Sequence, residues 1–375
     1  MYYAALCAIA KDEDSAIRYW VDYHLLLGFE HVTIFDNMSA TPISELLSEH
    51  IGLGLVDVVR FDVAENQQLS AYYAYLQTCK DQTRWAAFFD IDEYLVLKNK
   101  DDVKDFLMEY EAFSGVGVHW VVFGSNGHLK RPDSNVPASY RRYLYKDNVV
   151  KSIVKPGAVT CPKSPHHFTF RDGQYCVNED KLPILGPFSY HTSNSFQLNH
   201  YYYQSQQDFF RKMERGFATP VMDRANYSMD EFYWQHTQAD YEDDAIERHL
   251  KKLVLFEKRP VAVLARVVTK DCSTSCESYI EKIAGLVIHS KLEEALAQFD
   301  KAGRYYDELR LYLVGVMLYS LLKQHENVLF LFRKMLLKYE ACPSSRTLIY
   351  SELSKYYKST GQTEQSWAID REVSR

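Results

Sequence analysis

The chain has 375 residues, 47% of them hydrophobic, and a formal net charge of −7. That length supports a sizeable core and two domains. The acidic balance argues against nucleic acid as a partner, since general affinity for it needs a basic face to displace counterions from phosphate. No run approaches the ~20 apolar residues that span a bilayer, and no basic leader precedes an apolar segment. A cytoplasmic protein is expected, resting at most on the inner face of a membrane. The seven cysteines are an odd number without a Cys-x-x-Cys pair, as suits reduced thiols.

Residues 2–10 are an apolar run of strand length that opens onto the polar cluster Lys11, Asp12, Glu13, Asp14. Ile17, Trp20, Val21, His24, Leu25 and Leu27 then recur at helical spacing, with Gly28 as a stop. A second strand, 31–36, ends in Asp36 and Asn37, and Thr41 and Pro42 read as the N-cap and first residue of a helix. A third strand over 55–59 and a helix over 67–79 follow. Alternating β and α predicts a mostly parallel sheet with its ligands at the carboxyl ends of the strands. No Gly-x-Gly-x-x-Gly or Walker loop follows the first strand.

The fourth strand, 85–89, is a five-residue apolar run that delivers Asp90, Asp92 and Glu93. On an extended backbone residues two apart point to one side, so Asp90 and Asp92 would face the same way. Carboxylates so crowded repel, and a divalent cation such as Mn²⁺ or Mg²⁺ would relieve them while gripping a diphosphate. Removing one charge from the metal-free protein would then be neutral or stabilising. The plainer alternative is a strand that runs into a solvated acidic turn.

From residue 116 the pattern becomes short strands and turns over 117–123, 140–145 and 149–154, read as the far half of the same sheet. Lys151, Lys155, His166, His167 and His200 are phosphate donors by residue type. Helices are expected over 205–215 and 240–253, and a boundary near 270. Beyond it, helical runs over 279–288, 292–299, 305–322, 328–339, 347–358 and 363–373 form an all-α module, with Leu353, Tyr356, Tyr357 and Gly361 spaced as in a tetratricopeptide hairpin. That module suits packing, self-association or a protein partner.

Taken together, several ordered motifs make the first 220 or so residues similar to the family 92 glycosyltransferases of the GT-A superfamily. They run Ala10-Lys11-Asp12-Glu13, Tyr19-Trp20-Val21-Asp22-Tyr23-His24, Ile34-Phe35-Asp36-Asn37, Gln68 before Tyr72, Phe88-Phe89-Asp90-Ile91-Asp92-Glu93-Tyr94, Phe123-Gly124-Ser125-Asn126-Gly127, Lys151-Ser152-Ile153-Val154, and Asn199-His200-Tyr201 with Ser205, Phe209, Lys212 and Gly216. The family often has Asn where Asp12 stands, and a lysine where this chain has Gln204.

The resemblance implies a GT-A (Rossmann-like) fold, a UDP-linked sugar donor, often galactose, a carbohydrate acceptor, free or lipid-linked, and a divalent metal, Mn²⁺ or Mg²⁺. It places Asp36 near the base and ribose, Asp90 near the ribose or metal, and Asp92 on the metal, with His200 as a further ligand. Lys11, Glu13, Asn37 and Gln68 join the donor site through the same motifs. Lys151 is chosen for the diphosphate on charge alone, and Asp208, Glu179 and Asp180 are candidate bases. Two alternatives remain at this point. One is a haloacid-dehalogenase-type phosphatase, although its Asp-x-Asp normally follows the first strand. The other is a helical-repeat scaffold without activity.

Overall fold

The computed structural model describes residues 1–63, 65–190, 192–215, 228–236, 241–254, 261, 282–284, 286–287, 289–303, 309–339, 343–362 and 365. The chain forms two compact units, Met1–Asp271 and Cys272–Arg375. The boundary expected near 270, and the helices expected over 279–288 and 363–373, fall largely outside the described residues.

Among the described residues, the first unit is built on an eleven-stranded sheet. β1 (Tyr2–Ala10) lies between β2 (His31–Asp36) and β4 (Thr83–Phe88), and β3 (Val56–Arg60) extends the β2 side; all these pairings are parallel. β1 is almost continuously buried, as a strand covered on both faces must be. The helix Ile17–Leu26 buries Trp20, Val21, His24 and Leu25 and gives way to Gly28, whose φ of +106° suits a residue without a Cβ. The helix Gln67–Cys79 buries Ala71, Tyr72, Tyr75 and Leu76.

Past β4 the topology changes. β5 (Glu93–Leu97) leads to β6 (Gly115–Phe123) and then to one long strand, β7 (Arg142–Val154), which merges the two short strands expected there. β7 runs antiparallel to both β4 and β6. The smaller strands are β8 (Val159–Pro162), β9 (Phe168–Phe170), β10 (Cys176–Val177) and β11 (Pro183–Ile184). β12 (Phe196–His200) then enters between β6, which it parallels, and β5, which it opposes. The sheet is therefore mixed and not mostly parallel: the expected alternation ends at β4, where hairpin-type pairing takes over. A last strand, β13 (Tyr241–Glu242), pairs with β7, so the helix expected over 240–253 is confined to Glu247–Val254.

The second unit contains the helices Leu292–Gly303, Leu309–Leu321, His325–Tyr339 and Pro343–Ser359, each packed on the next. Phe299, Leu318, Leu331, Phe332, Met335 and Leu353 lie in its core. At Gly315 a side chain would collide with Phe299 and Leu331, so glycine allows those helices to approach closely. Tyr356 is buried and Gly361 has φ +76°. Among the described residues no helix is long and apolar enough to cross a membrane.

Candidate active site

The carboxyl ends of β1, β2, β4, β6 and β12 share one edge of the sheet, and the acidic cluster lies there. β4 stops at Phe88, and the carbonyl of Asp90 accepts from the amide of Glu93 at 3.0 Å. Residues 90–93 are thus a tight turn joining β4 to β5. The extended backbone expected to aim Asp90 and Asp92 the same way is absent, and the two carboxylates take different partners.

Asp90 accepts from Lys151 Nζ at 2.9 Å and from Gln68 Nε2 at 2.6 Å. Glu93 is wholly buried, accepting from the amide of Asp90 at 2.9 Å and from Trp120 Nε1 at 2.8 Å, with Lys151 Nζ 3.6 Å away. Asp92 accepts from Lys212 Nζ at 2.8 Å on one oxygen, and its other oxygen lies 3.6 Å from His200 Nε2. The crowding predicted from sequence is therefore answered by lysines on two sides. Burial works to raise the Asp92 carboxyl, but Lys212 and His200 prevail and hold it well below the usual carboxylate range. Burial pushes Glu93 up. Burial alone would lower Lys151, yet Asp90 and Glu93 keep its ammonium above the ordinary lysine range.

Lys151 has no exposed surface, so it clamps the turn and offers nothing to a diphosphate in the cleft. Gln68, from the helix Gln67–Cys79, also donates to the hydroxyl of Tyr72 and orients Asp90. Asp36 is almost entirely buried: it accepts from the amides of Ser39 and Ile43 and from Arg60, at 2.9, 3.2 and 3.2 Å. It thereby caps the short helix Ile43–Leu46, a task expected of Thr41, and Pro42 occupies the N-cap position. The amide of Asn37 donates to the carbonyl of Ala10. Asp12 accepts from the amide of Ala40 at 2.8 Å and donates its own amide to Ser39 Oγ at 3.0 Å, tying the first two loops together. Lys11 is partly exposed at the same end of β1.

Beside Asp92 opens a polar cleft of about 410 Å³, which Asp12, Glu13, Asp14, Arg131, Tyr202, Asp208, Arg211 and Lys212 help to line. Asp12 and Gln204, both on this lining, have φ of +53° and +46°. Non-glycine residues rarely adopt that conformation, and where they do it is often at a functional site. Ser205 Oγ accepts from the amide of Asp208 at 3.1 Å at the start of the helix Gln206–Arg215, an N-cap bond. One turn on, Lys212 shares the face of Asp208 and reaches Asp92. Asp208 also accepts from Arg131 Nε at 2.5 Å and from the Ser205 hydroxyl at 2.6 Å, so both its oxygens are engaged.

Glu179 is elsewhere. Its carboxylate accepts from the amides of Asn194 and Ser195, just before β12 begins, whereas His200 closes that strand at the cleft end. The strand between them spans ~13 Å at about 3.3 Å per residue. Neither Glu179 nor its neighbour Asp180 lines the cleft, so neither stands where a base is needed. Lys212 stands in the last of the family motifs without a role assigned to it, and Arg131 and Arg211 stand in none. Lys212 carried a readable signal, four residues after an acid in a capped helix; Arg131 carried none.

Of the three proposed metal ligands, the structure joins Asp92 and His200, while both oxygens of Asp90 are occupied by Lys151 and Gln68. Among the described residues no group of three or more His, Cys, Asp or Glu is arranged as a complete metal site. A carboxylate that lines the cleft, with a buried imidazole 3.6 Å behind it, would suit Mn²⁺ better than Mg²⁺, an ion that leaves several positions to water and substrate phosphate. His200 is held in place by Trp120, with ring centroids 4.3 Å apart.

An α/β sheet with acids and cations gathered in a cleft at the carboxyl ends of its strands is the arrangement of an enzyme that handles a charged ligand. The chain belongs to glycosyltransferase family 92, whose model matches residues 5–244. It is 26% identical over 230 residues to a glycosyltransferase family 92 protein of Oryza sativa subsp. japonica, covering 58% of this chain and 36% of that one. With a family member from Ricinus communis the identity is 28% over 233 residues, covering 59% and 39%. The chain thus spans well under half the length of these relatives. Among solved structures, S. aureus TarS 1–349 in complex with UDP-GlcNAc aligns over 87% of this chain and 89% of that chain, at 12% identity and a TM-score of 0.34. A likeness that loose supports no residue equivalences.

Proposed function

We propose that this family 92 glycosyltransferase transfers a hexose from a nucleoside-diphosphate sugar, UDP-linked, to a carbohydrate acceptor with the help of a divalent cation. The observation that carries the reading is the placement of Asp92: a carboxylate at the carboxyl end of a central strand, beside His200, in a cleft that also presents Arg131, Arg211 and Lys212. Asp92 and His200 would hold Mn²⁺ or Mg²⁺, which when bound supplies Lewis-acid stabilisation of the departing diphosphate. Lys212 and the two arginines add positive charge where that leaving group develops its own. Lys151, Gln68 and Trp120 fix the turn and so act as positioning residues. Asp208 lines the cleft and would serve as base for an inverting transfer once Arg131 turns from it to the leaving diphosphate.

The phosphatase alternative needs an Asp-x-Asp after the first strand, but here it follows the fourth in sequence. The test is a panel of nucleotide sugars, with and without Mn²⁺, read by nucleoside-diphosphate release in the wild type and in Asp92→Asn. Metal-dependent release that Asp92→Asn abolishes is expected. Release of phosphate from simple monoesters, with none from nucleotide sugars, would replace this reading by the phosphatase.

A further inference from the structure

Lys212 holds an unusual position for a residue beside a metal ligand. Its Nζ lies 2.8 Å from Asp92 Oδ2, 3.9 Å from the centroid of the Tyr202 ring and 3.4 Å from the Tyr202 carbonyl. The side chain is 19% exposed and lines the cleft. His200 addresses the other oxygen of the same carboxylate. An ammonium on one Asp92 oxygen thus stands where a divalent cation shared with His200 would bring a larger positive charge. Both cannot be held close together without repulsion.

We infer that Lys212 is a resident counter-cation: it competes with the divalent metal for Asp92 when the cleft is empty, and passes to the diphosphate when metal and nucleotide enter together. This rests on the reading of the cleft as a nucleotide-sugar site. The geometry supplies each element of the exchange. A lysine is a compact charge on a flexible stem. Tyr202 presents an aromatic face that can hold the ammonium as it leaves the carboxylate. Arg211 and the Asp208-paired Arg131 line the cleft beside it, so an anion they hold comes within reach of Lys212. The consequence is ordered loading. Mn²⁺ alone must displace an ion pair, whereas Mn²⁺ with a diphosphate gives the displaced ammonium a new partner, so metal and nucleotide bind cooperatively.

The experiment uses the full chain and two ligands, Mn²⁺ and UDP. Free Mn²⁺ is followed by electron paramagnetic resonance in the absence of nucleotide, and UDP affinity by calorimetry at saturating Mn²⁺. In Lys212→Met, which keeps an apolar stem against Tyr202, Mn²⁺ alone should bind roughly tenfold more tightly and UDP roughly tenfold more weakly than in the wild type. Lys212→Arg, which keeps the charge, should follow the wild type in both directions. A merely structural lysine would weaken both ligands together. Unchanged or weaker Mn²⁺ binding in Lys212→Met, or unchanged UDP binding, overturns the exchange while leaving the nucleotide-sugar reading intact. A wild type that binds neither Mn²⁺ nor UDP overturns both.

Discussion

Replacing Lys151 by Met tests whether the acidic turn is held from within. Lys151 Nζ is 2.9 Å from Asp90 and 3.6 Å from Glu93, and neither Lys151 nor Glu93 has any exposed side-chain surface. Removing one member of a buried ion pair typically costs ~3–5 kcal/mol, because the remaining charge is left without compensation. The Asp90 side chain is 34% exposed, so solvent screens that arm and the loss falls at the lower end, about 3 kcal/mol. Glu93 decides the rest. With the lysine gone its carboxyl rises further, the folded state becomes the tighter proton binder, and stability increases as pH falls. Urea unfolding at pH 8 and pH 5 should therefore show a larger deficit at pH 8. Lys151→Met with Glu93→Gln should recover part of the deficit, since Gln can still accept from Trp120 Nε1. A loss below about 1 kcal/mol, or no recovery in the double variant, refutes a clamp of this kind.

Asp92→Asn should lower metal-dependent diphosphate release by orders of magnitude. It should also cost about 1 kcal/mol of stability, checked by urea melts without metal, because Lys212 loses its partner in a partly exposed pair; this reverses the neutral or stabilising effect that crowding alone suggests. Arg131→Gln should weaken UDP binding in calorimetry and reduce turnover, since it frees Asp208 and removes a cation from the cleft. His24 is fully buried and pushed down to about 3 by burial. The folded state therefore binds fewer protons than the unfolded chain below about pH 6.5, and stability falls as pH drops, by about 2 kcal/mol at pH 5 from this residue. His24→Leu should show a correspondingly shallower loss between pH 7 and pH 5. A truncate ending at Asp271 should remain folded and bind UDP as the full chain does, because the cleft and its core lie within the first unit.

The first half of the fold was legible because its signals are local. β1, the helix Gln67–Cys79 and the stop at Gly28 each follow from a run of side chains and one adjoining breaker. The acidic turn was legible as chemistry but misread as geometry: three carboxylates in four positions identify a special site, yet their directions depend on a turn closed between Asp90 and Glu93. Burial set by distant partners escaped entirely. Lys151 looks like any exposed cation until β7 places it under Asp90, and Glu179 looks like any free acid until the amides before β12 take both its oxygens. The sheet was expected to be mostly parallel because βαβ alternation is visible in sequence, whereas the insertion of β12 between β5 and β6 is not.

That insertion also governs when the site can come into being. Leu97 and Phe196 are neighbours across the sheet, yet a ribosome adding about 5–20 residues per second needs roughly 5–20 s to make the chain between them. During that interval β5 has its apolar Leu95, Val96 and Leu97 without the strand that will border them, and Asp92 has neither His200 nor Lys212. The nascent protein therefore carries β5 unpaired, and an acidic turn without the imidazole and ammonium that will face it. Assembly of the cleft is deferred by topology until the first unit is nearly complete, so a ribosome stalled before β12 would release a product with most of the sheet and an unfinished cleft.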